Sequence, residues 1–435
     1  MSIFIVLAVG LIVAIGLMII RVPVGFAFGI GSIILIFGYG LGFDWIAPHA
    51  LRFLGSFTLL AFPLFILLGN LMGRSGLADR LIDFVQSIIR RAKSSLGAVV
   101  VLTCSIFGAI SGSALAAIGA IGPIVMPRMA QDGYPRGYAT GIVACSSLIA
   151  MLIPPSLPMI IYGLVGQVPI SLCFLATIIP GLLIICSYLI INALMCRRMP
   201  IAAPAKNTFI EYSKNIGATG KRASLILLLP IIILGGIYGG VFTPTEAAAV
   251  GIIYCIPIML LVYRTTNFGG VVDSTVQAAS FTGSALALFF FLVTLSHILV
   301  LAEVPKDLAN IMMRFSENKY VLLAMLNILL LFIGMIMDDG SGTLLAAAIL
   351  LPVAKEIGID PLHFAAIVAV NIGLGNVTPP VAPLLYIAGR IGEVPFNEYI
   401  KPALVFMIFG HLPVVILTTY FPALSLTLPR LFTGG

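Results

Sequence analysis

Ser146-Ser147-Leu148-Ile149-Ala150-Met151-Leu152-Ile153-Pro154-Pro155 and Asn371-Ile372-Gly373-Leu374-Gly375-Asn376-Val377-Thr378-Pro379-Pro380 are the two stretches on which the reading of this fold turns. Each sits inside an apolar segment of spanning length, 137–165 and 362–390, and interrupts it with a Pro-Pro pair. Two consecutive prolines remove two amide donors and push the preceding residue out of helical geometry. Carbonyls one turn back are then expected to lack partners. In hydrocarbon, irregular backbone survives only where protein buries it or a water-filled cavity meets it.

The two breaks stand in one register. Pro127, Gly133, Pro154, Pro155 and Pro158 each have a residue of the same type 225 positions later, at Pro352, Gly358, Pro379, Pro380 and Pro383. The matching block runs from Met126-Pro127 to Gln167-Val168-Pro169, and from Leu351-Pro352 to Glu393-Val394-Pro395. A looser echo pairs Arg21-Val22-Pro23-Val24-Gly25 with Phe242-Thr243-Pro244-Thr245-Glu246. With an odd number of crossings per half, the halves face opposite ways, the inverted-repeat plan of secondary transporters.

Composition agrees. Of 435 residues, 60% are hydrophobic and 9% charged, where a soluble domain carries about 25% charged residues. Besides the broken pair, candidate spans of about 20 residues are 3–20, 22–40, 51–73, 172–195, 223–240, 246–263, 278–301 and 402–424. The net charge of +7 resides mainly in short loops, so it marks membrane sidedness rather than nucleic-acid binding. Six Cys, none in a CxxC pair, point to neither disulfides nor metal.

Two further apolar stretches, 96–127 and 321–353, are too long for one straight span and too short for two. Their middles are Ser111-Gly112-Ser113 and Asp338-Asp339-Gly340-Ser341-Gly342-Thr343. Both are expected to be re-entrant hairpins. Placing the basic loops 74–95 (Arg74, Arg80, Arg90, Arg91, Lys93) and 196–222 (Arg197, Arg198, Lys206, Lys214, Lys221, Arg222) in the cytoplasm puts the N-terminus outside. The expected organisation is a first repeat over 1–205, with scaffold spans 1–73, hairpin 96–127 and broken helix 137–165. A basic cytoplasmic linker, 206–222, follows. The second repeat, 223–435, holds scaffold spans 223–301, hairpin 321–353 and broken helix 362–390.

Any single break reads equally as a proline kink or close small-residue packing. Four symmetric breaks, each beside oxygen-bearing residues, point to a site. Sodium is a hard cation that takes oxygen ligands, as calcium does. Ser111, Gly112, Ser113, Ser146 and Pro154 are expected to hold one ion, and Gly340, Thr343, Asn371, Gly375 and Thr378 a second. Ser113, Asp338, Pro155 and Pro380 are expected at the substrate. Asp338 and Asp339 are adjacent acids inside an apolar run, and intramembrane acids are functional by default. Glu246 reads as a helix-terminal acid, and His297, His363 and His411 as isolated packing residues. No G-x-x-x-x-G-K-[ST], G-x-S-x-G or H-E-x-x-H run occurs, so neither an ATP-driven pump nor an enzyme is indicated.

The chain resembles the large membrane subunit of TRAP (tripartite ATP-independent periplasmic) transporters. The likeness lies in Arg21-x-Pro23-Val24-Gly25, Ser111-Gly112-Ser113-Ala114, Phe242-Thr243-Pro244-Thr245-Glu246-Ala247-Ala248-Ala249, Met337-Asp338, Gly358-Ile359-Asp360-Pro361-x-His363-Phe364 and Asn371 to Pro380. The match of Met337-Asp338 to the family's Met-Asp motif implies the transport role for Asp338, and Asp339, which has no such match, is expected to face water. The 338–343 tip is more polar than expected of the family's dicarboxylate members. The resemblance implies a sodium-driven elevator in the bacterial inner membrane, with sodium as the coupling ion and no cofactor. It also implies a separate small four-span membrane subunit, a periplasmic substrate-binding protein, and a small organic acid such as sialic acid, another sugar acid or a C4-dicarboxylate. The alternative is a stand-alone divalent-anion/sodium symporter, which shares the hairpin architecture and needs no binding protein.

Overall fold

The computed structural model describes residues 3–20, 22–74, 76–89, 94–199, 201 and 209–434. Arg21, Arg90, Arg91, Lys93 and Lys206 lie outside these. Every regular element among the described residues is helical. Among the described residues, seven helices are long and apolar enough to cross a bilayer, or nine if each of two bent pairs is one span. Phe37, Ile253 and Phe409 stand exposed on outward faces, as lipid contact requires.

Local chemistry sets the helix ends. Thr243 Oγ1 accepts from Glu246 N (3.3 Å) while the Glu246 carboxylate accepts from Thr243 N (2.8 Å), a complete capping box starting helix Pro244–Pro257. That accounts for Glu246. Gly133 and Gly358, at φ +86° and +72°, follow helices Ala114–Gln131 and Leu351–Glu356. Beyond them Tyr134 N donates to Met129 O (3.0 Å) and Ile359 N to Ala354 O (2.9 Å), satisfying carbonyls at the helix ends. Pro135 and Asp360 then cap helices Arg136–Ser147 and Pro361–Val377. Pro154–Pro155 and Pro379–Pro380 are both cis.

Each interrupted stretch folds as helix–turn–helix. In the first hairpin Ser95–Ser111 meets Ala114–Gln131 at Gly112, left-handed at φ +63°. In the second, Lys319–Ile336 meets Asp339–Leu345 at Met337-Asp338 and continues through a π-helical turn, Ala346–Leu350, to Leu351–Glu356. Pro352, which has no N–H, lies just beyond that turn, and its missing donor accounts for the local widening. Ser113 and Asp338, again 225 residues apart, are both N-caps: Ser113 Oγ accepts from Ala116 N, Asp338 Oδ2 from Gly340 N and Ser341 N.

The first broken helix comprises Arg136–Ser147, Ile149–Leu152 and Leu157–Gly166, bent by 43°. The second comprises Pro361–Val377 and Pro383–Gly392. Three elements depart from expectation. Loop 74–95 contains an amphipathic helix, Leu77–Ile88, with a counterpart at Val304–Phe315. Its interleaved charges disguise it as loop, yet they tie it down: Arg128, at the foot of the first hairpin, bonds Asp79 (3.2 Å) and Asp83 (2.8 Å). Linker 206–222 is helical from Phe209, continuous with the span ending at Tyr238. Segment 51–73 belongs to a pair, Ile46–Leu54 and Phe57–Gly73, bent by 52°.

Candidate functional site

The first hairpin tip sits on the first break. Leu157 N donates to Gly112 O (3.1 Å), and a Cβ on Gly112 would collide with Pro155 O. Ser111, Gly112, Ser113 and the Pro154-Pro155 segment are therefore brought together. Gly108 packs on Ala150, so Ser146 lies a further helical turn of about 5.4 Å back from the tip. Its hydroxyl is buried without a protein partner.

The carbonyls expected to be free at this break are taken. Ser156 Oγ donates to Met151 O and Thr177 Oγ1 to Leu152 O (2.7 Å). At the second break Thr378 Oγ1 donates to Leu374 O (2.7 Å) in the same manner. Hydroxyls from the same helix and from the next span thus take up carbonyls near the breaks, which sequence spacing alone does not reveal. The patch uses the Thr378 hydroxyl proton, and the lone pairs of the same oxygen stay free to meet a cation.

Asn371 is likewise committed. Its Nδ2 donates to Asn327 Oδ1 (2.6 Å) and Ile367 O (2.8 Å), and Asn327 Nδ2 donates to Thr419 Oγ1 (3.0 Å). Gly375 lets its helix approach Gly334 backbone to backbone, where a Cβ would clash. Through the Asn371 N–H groups and the close approach at Gly375, the second hairpin is tied to its broken helix. The residue the sequence reading missed is Asn376. It is fully buried and neither atom of its amide has a protein partner. Ser341 Oγ and Thr343 Oγ1 on the facing hairpin are buried and unpartnered too. Leaving such groups unmet costs about 1–3 kcal/mol each, so the arrangement calls for a ligand. The sequence carries a signal for it, because a polar amide inside an apolar helix is rare and functional by default.

Both tips converge on one cavity of about 240 Å³, lined among others by Ser113, Asp338, Asp339, Gly340, Ser341 and Asn376. Phe289 of the long helix Phe268–Leu301 forms its opposite wall. Ser113 and Asp338 are thus where expected. Asp339 is less exposed than Asp338 and lines the cavity beside it, instead of facing water. Its Oδ1 shares the Gly340 N–H with Asp338 (3.0 and 3.1 Å). Pro155 is buried against Gly112, and Pro380 is exposed at the outer bend; Leu157 and Pro383 line the cavity in their place. Each proline directs the chain away from the cavity, and the residue at the restart of the helix returns to it.

Two carboxylates and no basic side chain line this cavity. A groove of about 390 Å³ along Ala114–Gln131 shares Ser113, Leu115 and Phe281 with it and extends towards Asn70 and Gly73. His363 and His411 are packing residues, bonded to Thr418 O and Val370 O (2.9 Å each). His297 is not isolated; it stacks on His49. No group of three metal-ligating side chains occurs among the described residues, and the six cysteines are free thiols.

The family model for the tripartite ATP-independent periplasmic transporter, DctM component, matches residues 11–424. The chain is 34% identical over 420 residues to the sialic acid TRAP transporter large permease protein SiaM of Vibrio cholerae, covering 96% of this chain and 97% of the relative. It is 33% identical over 374 residues to the C4-dicarboxylate TRAP transporter large permease protein DctM of Pseudomonas aeruginosa, covering 86% of each. Its fold is similar to that of the YdaH transporter of Alcanivorax borkumensis, with a TM-score of 0.60 at 16% identity over 86% of this chain and 87% of the other.

Proposed function

Because the chain belongs to the DctM component of the tripartite ATP-independent periplasmic transporters, we propose that it drives sodium-coupled uptake of a small organic acid through the cavity between its two hairpin tips. It is a multi-pass large permease subunit of the bacterial inner membrane, not an enzyme. The observation that carries the reading is the meeting of Ser113, Asp338, Ser341 and Asn376, from both halves of the chain, at one cavity.

Charge explains the coupling. An organic anion entering a space lined by two carboxylates and no base is repelled unless cations enter with it. Sodium, bound by the unpartnered oxygens of Ser341, Thr343 and Asn376 and at the Ser111–Ser113 tip, supplies them. Asp338 then accepts hydrogen bonds from substrate hydroxyl or amide groups, and its charge helps hold the ion. The two halves act as inverted repeats with the N-terminus periplasmic. Both hairpins and both broken helices slide as an elevator against the remaining spans. With this topology the groove towards Gly73 opens to the cytoplasm, which supports an inward-facing reading. Sugar acids, sialic acid or C4-dicarboxylates are the substrate class, on the names of the relatives.

The partners are a small membrane subunit and a periplasmic binding protein. Reconstituted with the small subunit, the chain is expected to take up substrate only when loaded binding protein is supplied outside. Substantial uptake of free substrate without it would instead establish the stand-alone symporter.

A further inference from the structure

A second cavity, about 600 Å³, lies apart from the tips and shares no lining residue with the tip cavity. His49 and Arg52 reach it from helix Ile46–Leu54, Gln167 from the end of the first broken helix, His297 from the long helix, and Lys355 from the foot of the second hairpin. No Asp or Glu lines it. Neither Arg52 nor Lys355 has an ion-pair partner among the described residues. The His49 and His297 rings are stacked at 3.9 Å between centroids, and Trp45 lies 4.8 Å from His297. Residues some 250 positions apart thus build one basic recess, and its volume falls in the range of about 300–1,000 Å³ typical of small-molecule sites.

We infer that this recess is an anion site that captures the carboxylate of a small organic acid before it reaches the hairpin tips. The inference rests on the transport reading above, whose topology places Arg52, Gln167 and Lys355 together on the periplasmic face. A guanidinium pairs with a carboxylate in bidentate fashion, and imidazole N–H groups and the Gln167 amide serve the remaining oxygens. Concave apolar walls focus the field of the two cations. The two cavities divide the work: the recess is basic and collects the anion alone, whereas the acidic tip cavity accepts it only with sodium. Because Lys355 belongs to the second hairpin and Arg52 does not, movement of that hairpin separates the two cations and releases the anion.

Trp45 is the only tryptophan in the chain, so intrinsic fluorescence of the purified full chain in lipid nanodiscs reports on this recess. Titration with succinate and with gluconate is expected to give a saturable change with at least one of them, in the absence of sodium. The double variant Arg52→Gln/Lys355→Gln is expected to raise the half-saturation by about tenfold or more, as loss of a charge-assisted bond implies. Arg52→Lys/Lys355→Arg, which keeps both charges, is expected to stay close to wild type. No saturable change with either acid, a response to inorganic phosphate or chloride only, or equal titration of the charge-removing variant would overturn the site. This measurement does not involve transport. A silent Trp45 in a chain that transports sinks the recess alone, and failed uptake with an intact titration sinks the transport reading alone.

Discussion

Asp338 caps helix Asp339–Leu345 through two backbone N–H groups and also faces the tip cavity. These two roles are separable because asparagine caps a helix about as well as aspartate does. Asp338→Asn therefore keeps the tip folded and removes only the charge. Sodium-driven uptake is expected to fall by about tenfold or more, the effect of losing a charge-assisted hydrogen bond of about 1.5–3 kcal/mol. Near-normal uptake at matched expression and assembly would reduce Asp338 to a cap. The two asparagines of the second broken helix offer a sharper contrast. Asn376→Leu removes two unpartnered buried polar atoms, so thermal stability is expected to hold or rise while the half-saturating sodium concentration rises about tenfold or uptake is lost. Asn371→Ala breaks the tie to Asn327 and is expected to lower the melting temperature while leaving sodium dependence unchanged. The opposite pattern would return the ligand role to Asn371.

At the scale of elements, the tip and the break work as one unit. Gly112 combines a left-handed backbone with contact against Pro155 O, and only glycine meets both conditions. Gly112→Ala is expected to abolish uptake and reduce yield of folded protein, measured by monodisperse recovery in detergent. Wild-type yield with wild-type uptake would show that the tip does not need to seat on the break. Much of this was legible beforehand, because prolines and glycines act locally: Pro154-Pro155, Pro379-Pro380, Gly133 and Gly358 punctuate the chain whatever surrounds them. What was not legible depends on neighbours distant in sequence. Thr177 reaches Leu152 O from the next span, and Asn327 engages Asn371 from the other arm of the hairpin. Residue type identified the oxygen-bearing positions, but only packing distinguishes an oxygen already satisfied from one left open. The amphipathic helix Leu77–Ile88 is a different case: Leu77, Leu81, Ile82 and Val85 mark its apolar face in the sequence, but the charges between them give it the look of a loop.

Across the whole molecule, the backbone devices of residues 111–158 recur 225 positions later, and both sets end at the same cavity. Ser113 and Asp338 occupy equivalent N-caps there, one neutral and one charged. Two halves with the same plan and different side chains permit a site that is symmetric in construction and asymmetric in chemistry. On the proposed function, a space with two carboxylates and no base takes an anion only together with cations. The coupling claim is therefore the centre of the account. Proteoliposomes holding this chain with its small subunit, supplied outside with binding protein loaded with labelled sialic acid or succinate, test it directly. An inward sodium gradient is expected to drive accumulation, and an equal potassium gradient none. Accumulation at the same rate under both gradients would contradict the account.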